Sequence, residues 1–203
     1  MTGWLSNTLV QLEDYLVGGG VTILPQLGLC LVMWFLIIDR VLFFKRLQRR
    51  KMSLEKALEH IRENRQPDLQ QEQGIIAIMV ADFLRQRKNS DQDAWIIDEL
   101  VLKYSRRMTA YLPLIGVLAA IAPLLGLLGT VAGMMTTFDV LALFGTGNAR
   151  ALANGISEAL ITTQSGLLIA IPGLYMKGFL QRRAGALQQR LVLAGYCFKR
   201  HLE

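Results

Sequence analysis

The chain has 203 residues, 52% of them hydrophobic, and a formal net charge of +6. Its two cysteines, Cys30 and Cys197, and its two histidines, His60 and His201, are scattered, which argues against a disulfide framework or a metal site. The positive charge lies where membrane topology alone would put it, so we expect no nucleic-acid partner.

The first 20 residues contain no lysine or arginine and carry Glu13 and Asp14. Residues 4–17 are predicted to form a short amphipathic helix at the membrane surface, which Gly18–Gly20 ends. A cleavable signal peptide would instead begin with basic residues. We therefore expect the first apolar segment to stay in the protein as a membrane anchor.

Three segments are apolar over the length of about 20 residues that a helix needs to cross a bilayer. Residues 15–38 and 108–138 contain no Asp, Glu, Lys or Arg, and residues 159–176 are extended past Glu158 by Leu152 and Ile156. The sequence therefore predicts an all-α polytopic membrane protein. Its predicted transmembrane helices are residues 21–44, 110–138 and 155–177.

The basic residues predict the orientation of these spans. Residues 45–107 hold 14 Lys and Arg against 10 Asp and Glu, and residues 177–203 hold six against Glu203 alone. Because basic residues accumulate on the cytoplasmic side, this bias predicts a cytoplasmic C-terminus and an N-terminus on the outer side. The predicted cytoplasmic segments are 45–109 and 178–203, and the predicted outer segments are 1–20 and 139–154.

The loop of residues 45–109 is predicted to be helical and to extend the membrane bundle. Ser53 is the predicted N-cap of a helix that Pro67 ends, and residues 74–84 are apolar but too short to span. Residues 92–111 contain no glycine or proline, so we expect one helix, capped by Ser90 or Asp91, to continue into the second span.

Small residues recur along the second and third spans at steps of three and four. Gly129 and Gly133 form a GxxxG pair, a pattern that lets helix backbones approach closely. We therefore predict tight helix packing on these faces, including contacts with other subunits. The predicted packing residues are Pro123, Gly126, Gly129, Gly133, Gly166 and Pro172.

Glu158 is the only acid within residues 151–176, and polar residues follow it at 162–165. An ionisable group at membrane depth is unfavourable and usually faces a pore, a partner helix or a water-filled cavity. Thr162 and Ser165 share its helix face at i+4 and i+7. The sequence therefore predicts an ion pathway, and its predicted residues are Thr130, Glu158, Thr162, Thr163 and Ser165.

Thr130 and Thr163 are each about eight residues from the outer ends of their spans, which places both roughly 12 Å deep. Two other interpretations stay open at this point. The hydroxyls could bond back to their own helix carbonyls, and Glu158 could extend toward the outer interface. No metal-ligand cluster, phosphate-binding glycine loop or nucleophile elbow occurs, so we predict neither an enzyme nor a cofactor.

Two motifs resemble the signatures of the ExbB/TolQ/MotA proton-channel family. Residues 121–135, IAPLLGLLGTVAGMM, resemble its second-span signature, and residues 155–172, from GISEALITT to IAIP, resemble its third. Residues 19–40 look like the first span of the ExbB branch, and three spans rather than four favour ExbB or TolQ over MotA. The resemblance covers essentially the whole chain.

The resemblance implies a motor in the bacterial inner membrane, built from a ring of copies that is typically a pentamer. A single-span ExbD/TolR-like partner lies in its pore, and proton entry moves that partner to drive TonB or TolA. On this chain Thr130 and Thr163 match the pore threonines, and Glu158 matches the third-span glutamate. Gln164 and Ser165 depart from the small apolar residues of many relatives, which leaves sodium as an alternative ion.

The expected function is therefore that of an ExbB-like subunit that energises TonB for import across the outer membrane. Two alternatives remain: a TolQ-like subunit serving envelope integrity, and a membrane scaffold without ion flux.

Overall fold

A computed structural model describes residues 19–48, 52–67, 74–88, 92–145 and 149–202. These residues form helices and short connections, with no β-strand among them. The predicted surface helix at 4–17 and the predicted caps Ser90 and Asp91 lie outside the described residues. The helices are α1 (Ile23–Gln48), α2 (Leu54–Arg62), α3 (Ile75–Gln86), α4 (Asp93–Thr109), α5 (Leu112–Phe144) and α6 (Ala149–Leu202).

Three stretches of helix in the described residues are long and apolar enough to cross a membrane. They lie within Ile23–Leu47, Asp93–Phe144 and Ala149–His201. This confirms the prediction of an all-helical protein with three membrane-crossing helices. The predicted outer segment 139–154 is largely helical, because α5 continues through apolar residues to Phe144, where Gly145 ends it with a φ of +60°.

The described residues form two compact units, to both of which α1, α5 and α6 contribute. The first unit comprises described residues within 1–36 and 114–177, and the second comprises those within 37–113 and 178–203. Large apolar side chains are exposed along all three helices of the first unit, including Leu31, Phe35, Leu124, Leu168 and Ile171. Surface of this kind is suited to lipid or to other subunits rather than to water.

Helices α5 and α6 of the first unit are antiparallel and in close contact. A Cβ atom added to Gly126 would lie 3.1 Å from Thr163 Cα, and one on Gly133 would lie 3.0 Å from Ala159 N. Toward the other end of the pair, the Lys177 side chain crosses Gly116. At Gly126 and Gly133 a larger residue would press on the backbone of α6, so these contacts favour residues without side chains.

Helix α1 runs parallel to α6 in the same unit. Gln26 donates a hydrogen bond to the backbone of Thr162, and Met33 lies against Gly173 further along both helices. Both Gln26 and Met33 are fully buried. The first unit is therefore held by side chains of α1 that reach the same face of α6.

The second unit is a helical bundle with an apolar core. Ser53 caps α2 by accepting a hydrogen bond from Lys56 N, as the sequence predicts, and α2 ends at Arg62, before Pro67. Half of the 12 residues of helix α3 are buried, in agreement with the prediction that its short apolar stretch does not span. Its buried residues are Ile75, Ala77, Met79, Val80, Ala81 and Phe83.

The prediction that one helix continues from residue 92 into the second span is wrong. Helix α4 ends at Thr109, and Tyr111 has a φ of +64° before α5 begins. Pro113 explains the break, since it has no N–H for the Thr109 carbonyl four residues earlier and its ring would clash with that group. Pro113 lies just beyond the segment 92–111, which contains no glycine or proline.

Arg40 stabilises this break from within the second unit. Its side chain is only 8% exposed and donates to the Arg107 carbonyl at 3.3 Å, one of the helix-end carbonyls that lack an intrahelical partner. The guanidinium carbon also lies 4.6 Å from the ring centre of Tyr111, a cation–π distance. Arg40 thus holds both sides of the junction.

A hydrogen bond joins α3 to α4. The Tyr104 hydroxyl donates to Asp82 Oδ2 at 2.6 Å, and Lys103 Nζ lies 3.3 Å from the same oxygen. The Tyr104 hydroxyl is the main cause of the lowered pKa of Asp82, whereas burial is the main cause of the raised pKa of Tyr104. A carboxyl whose pKa is lowered by folding stabilises the fold above its unfolded pKa of about 3.9, and this contribution is lost as the pH falls.

We expect Tyr104→Phe to lower the free energy of unfolding by about 1 kcal/mol at neutral pH, because the Asp82 carboxylate loses its hydroxyl donor. The difference from the wild type should shrink as the pH falls below about 4. Thermal unfolding in detergent across a pH series measures both effects. Tyr196→Phe is the control, since Tyr196 is 69% exposed; an equal loss in that variant would contradict the assignment.

We expect Gly129→Ala to lower the free energy of unfolding by about 1–3 kcal/mol, as overpacking does elsewhere. Its Cβ atom would lie 2.5 Å from the Thr162 Cβ atom. Gly28→Ala is the matched control in α1, since a Cβ there meets no atom within 4 Å. Denaturation of the purified variants compares them, and equal stability of the two would show that α5 and α6 can separate without cost.

Candidate functional site

Glu158 lies on α6 and is half-buried in the first unit. Its carboxyl group lies against Gly20, just before α1 begins, where an added Cβ atom would overlap Glu158 Oε1. Gly20 also has a φ of +60°, a conformation that is unfavourable for residues with a Cβ atom. The positive φ favours glycine at position 20, and the contact places the carboxyl beside the N-terminal end of α1.

Thr162 lies one turn further along α6, and its side chain is 0% exposed. Its hydroxyl lies 3.1 and 3.0 Å from the carbonyl oxygens of Glu158 and Ala159, to which it donates. Gly129 of α5 packs directly on this side chain. Within this chain the Thr162 side chain is therefore enclosed between α6 and α5, and its place in the ion pathway stays a prediction.

Thr163 and Thr130 are half-buried, and their hydroxyls bond to backbone carbonyls. Thr163 Oγ1 donates to Ala159 O at 3.2 Å and lies 3.4 Å from Gly126 O on α5. Thr130 Oγ1 donates to Leu127 O at 2.6 Å. Because Thr130 is one helical turn beyond Gly126, the two threonines lie within about 6 Å of each other in depth. Their pore-lining role stays a prediction.

Ser165 is half-buried, and its hydroxyl donates to Ile161 O at 2.8 Å in its own helix. Hydroxyls in apolar helices commonly make this bond, which satisfies the donor without a second helix. Among the described residues, no hydrogen bond therefore joins Ser165 to Glu158. Its place in the ion pathway also stays a prediction.

The predicted packing residues lie along the contact between α5 and α6. A Cβ atom on Gly166 would lie 2.7 Å from the Ala122 carbonyl oxygen, and Gly126, Gly129 and Gly133 face α6 as described above. Pro123 and Pro172 lie inside α5 and α6, which continue through them. The glycine contacts occur within one chain, whereas contacts with other subunits remain a prediction.

Gln26 of α1 belongs to this site but was not among the residues predicted from the sequence. Its side chain is 0% exposed, and its Nε2 atom donates to the Thr162 carbonyl at 3.0 Å. The Oε1 atom is buried and has no hydrogen-bond partner among the described residues. A polar amide inside an otherwise uncharged apolar segment is itself a functional signal, by the same reasoning that identified Glu158.

Thr137 was also missed, near the opposite end of the contact between α5 and α6. It is 7% exposed, donates to Gly133 O at 2.9 Å and packs against Gly155. The Thr137 side chain packs on Gly155 in the same way as the Thr162 side chain packs on Gly129. The signal available in the sequence was the four-residue spacing between Gly133 and Thr137 on one helix face.

The site combines one carboxyl group, which can bind and release a proton, with hydroxyls that satisfy helix carbonyls. This arrangement keeps polar groups paired inside an apolar unit, as a membrane interior requires. Among the described residues, no three His, Cys, Asp or Glu side chains are grouped so that they could hold a metal ion. Within this site, Glu158 carries the group that can bind a proton or another cation.

Comparison with known proteins identifies the family of the chain. The model of the MotA/TolQ/ExbB proton channel family matches residues 37–192, which include the C-terminal part of α1 and the motifs of α5 and α6. No curated protein sequence matches the chain. Because the family model covers well over half of the 203 residues, this membrane protein belongs to the MotA/TolQ/ExbB proton channel family.

Proposed function

We propose that the chain is a subunit of a proton-driven motor in the bacterial inner membrane. Copies of it form a ring, which we expect to be a pentamer, around an ExbD-like single-span partner. The motor energises a TonB-like protein for import across the outer membrane. The observation that carries the proposal is Glu158, a lone acid half-buried in an apolar helix of a proton channel family member.

The surroundings of Glu158 support a role in proton movement. Its carboxyl group lies beside the N-terminal end of α1, where the partial positive charge of the helix favours an anion. It is also only half-buried, so it can be reached from outside the chain. A carboxyl that is both held and accessible is suited to exchange protons with a pore.

Exposed apolar surface of the first unit supports assembly into a ring. On α5, Leu127, Leu128 and Val131 flank Thr130 and are each more than half exposed. In a ring, part of this surface packs on neighbouring copies and part contacts lipid, while half-buried polar groups such as Thr130 face the pore. The distribution of basic residues supports a cytoplasmic second unit and C-terminus.

Substituting Glu158 tests the proton step. We expect Glu158→Gln to reduce proton flux roughly a hundredfold, because the amide keeps the shape of the carboxyl but does not exchange protons. Flux is measured with a pH-sensitive dye inside liposomes that contain the complex with its single-span partner. Asp139→Asn is the control, since Asp139 is an exposed acid of α5.

Wild-type flux in Glu158→Gln would remove Glu158 from the mechanism. Replacing sodium by a large organic cation in the same assay distinguishes the ions. A transport signal that depends on sodium and not on the proton gradient would favour sodium as the transported ion.

The mass of the complex tests the proposed ring and its single-span partner. We expect the chain, co-expressed with the products of neighbouring genes, to purify as a ring of several copies that holds one or two single-span proteins. Native mass spectrometry gives the copy numbers. A ring without any partner, or a monomer, would favour the scaffold alternative.

A deletion strain then separates the two motor pathways. Loss of TonB-dependent uptake with an intact envelope is the result expected for an ExbB-like subunit. Leakage of periplasmic proteins with normal uptake would instead support a TolQ-like subunit.

A further inference from the structure

The N-terminal part of α1 contacts the turn of α6 that carries Glu158. Gly20 lies against the carboxyl of Glu158, and six residues later Gln26 bonds to the carbonyl of Thr162. The two contacts occur in the same order along both segments because α1 and α6 are parallel. The stretch from Gly20 to Gln26 therefore contacts both the acid and the backbone one turn beyond it.

Gln26 is not explained by packing alone. Its side chain is fully buried, yet only its nitrogen is bonded, and Oε1 has no hydrogen-bond partner in the described parts of the chain. The Thr162 carbonyl is a helix carbonyl, which does not require a side-chain donor in the middle of α6. A methionine of similar length would fill the same space without an unpaired oxygen, so a residue chosen for stability would be apolar at this position.

Gly20 is not explained by the turn alone either. Its positive φ favours glycine, but asparagine and aspartate also adopt this conformation at turns. A Cβ atom at this position would also overlap Glu158 Oε1, so the carboxyl at the end of that flexible side chain would have to move aside. The space that Gly20 leaves open is occupied by the carboxyl, so this position is matched to the acid of another helix.

We propose that Gly20, just before α1, and Gln26 in α1 form a holding site that positions Glu158 for proton exchange. Gly20 provides the space in which the carboxyl lies, and Gln26 fixes the turn of α6 one step beyond it. The unpaired Oε1 of Gln26 is an acceptor for a water molecule inside this contact. The two are positioning residues, and their effect on flux rests on the proton-motor function proposed above.

The first experiment tests the holding site without any flux measurement. Thermal unfolding in detergent is compared for wild type, Gly20→Ala, Glu158→Ala and the double variant. We expect Gly20→Ala to lower the melting temperature less when Glu158 is already alanine, because no carboxyl then has to move aside. The cost of the positive φ is the same in both backgrounds and cancels.

Gly28→Ala is the matched control, since a Cβ atom at Gly28 has no neighbour within 4 Å. Its effect should be the same with and without Glu158. An equal loss from Gly20→Ala in both backgrounds would overturn the holding site. This result is independent of whether the complex conducts protons.

The second experiment tests the functional consequence in the reconstituted complex with its single-span partner. We expect Gln26→Met to lower proton flux roughly tenfold or more through misplacement of Glu158, while the melting temperature stays equal or rises. Gln26→Asn, which keeps the amide on a shorter side chain, should retain more flux than Gln26→Met.

Two results would overturn the role of Gln26: wild-type flux in Gln26→Met, or a melting temperature that falls in parallel with the flux. The second result would make Gln26 a structural residue. If the wild-type complex itself conducts no protons, the proposed function fails, and the unfolding comparison still decides whether Gly20 and Glu158 are coupled.

Discussion

The close approach of α5 and α6 is the constraint on which the candidate site depends. Gly129 allows Thr162 to be enclosed, and Gly126 brings the backbone of α5 to Thr163. In an apolar environment such contact is favourable through packing and through pairing of polar groups, because lipid offers no hydrogen bonds to replace them. Enclosing Thr162 also fixes the α6 turn that presents Glu158, so the glycines of one helix determine where the acid of the other lies.

The sequence predicted most of the fold because its signals are local. An apolar segment of sufficient length requires a helix in lipid, and the Ser53 cap and the short apolar stretch of α3 follow from neighbouring residues. The break at Tyr111 was missed although it is local too. Pro113 lies two residues beyond the segment 92–111, which contains no glycine or proline. A proline ring clashes with the carbonyl four residues before it.

The site was only partly predictable, for a different reason. Periodicity places Glu158 and Thr162 on one helix face, but it does not say which part of that face another helix covers. In the structure Glu158 is half-exposed while Thr162 is enclosed, and Gly129 and Gln26, which enclose it, belong to two other helices. Polar residues in a membrane helix therefore divide into packing and pore positions only when the neighbours are known.

The polar groups of the first unit differ in how completely they are paired, and this difference separates structural from functional positions. The hydroxyls of Thr137, Thr162 and Ser165 all donate to carbonyls of their own helices, so their presence in the interior is inexpensive. The Oε1 atom of Gln26 has no such partner within the residues that the structure describes. An interior that satisfies its hydroxyls so consistently would not retain an unpaired amide oxygen for stability, and this oxygen lies in the contact of α1 with the helix that carries the only acid of residues 151–176. We therefore infer that α1 helps to set the position of Glu158, in addition to anchoring the chain.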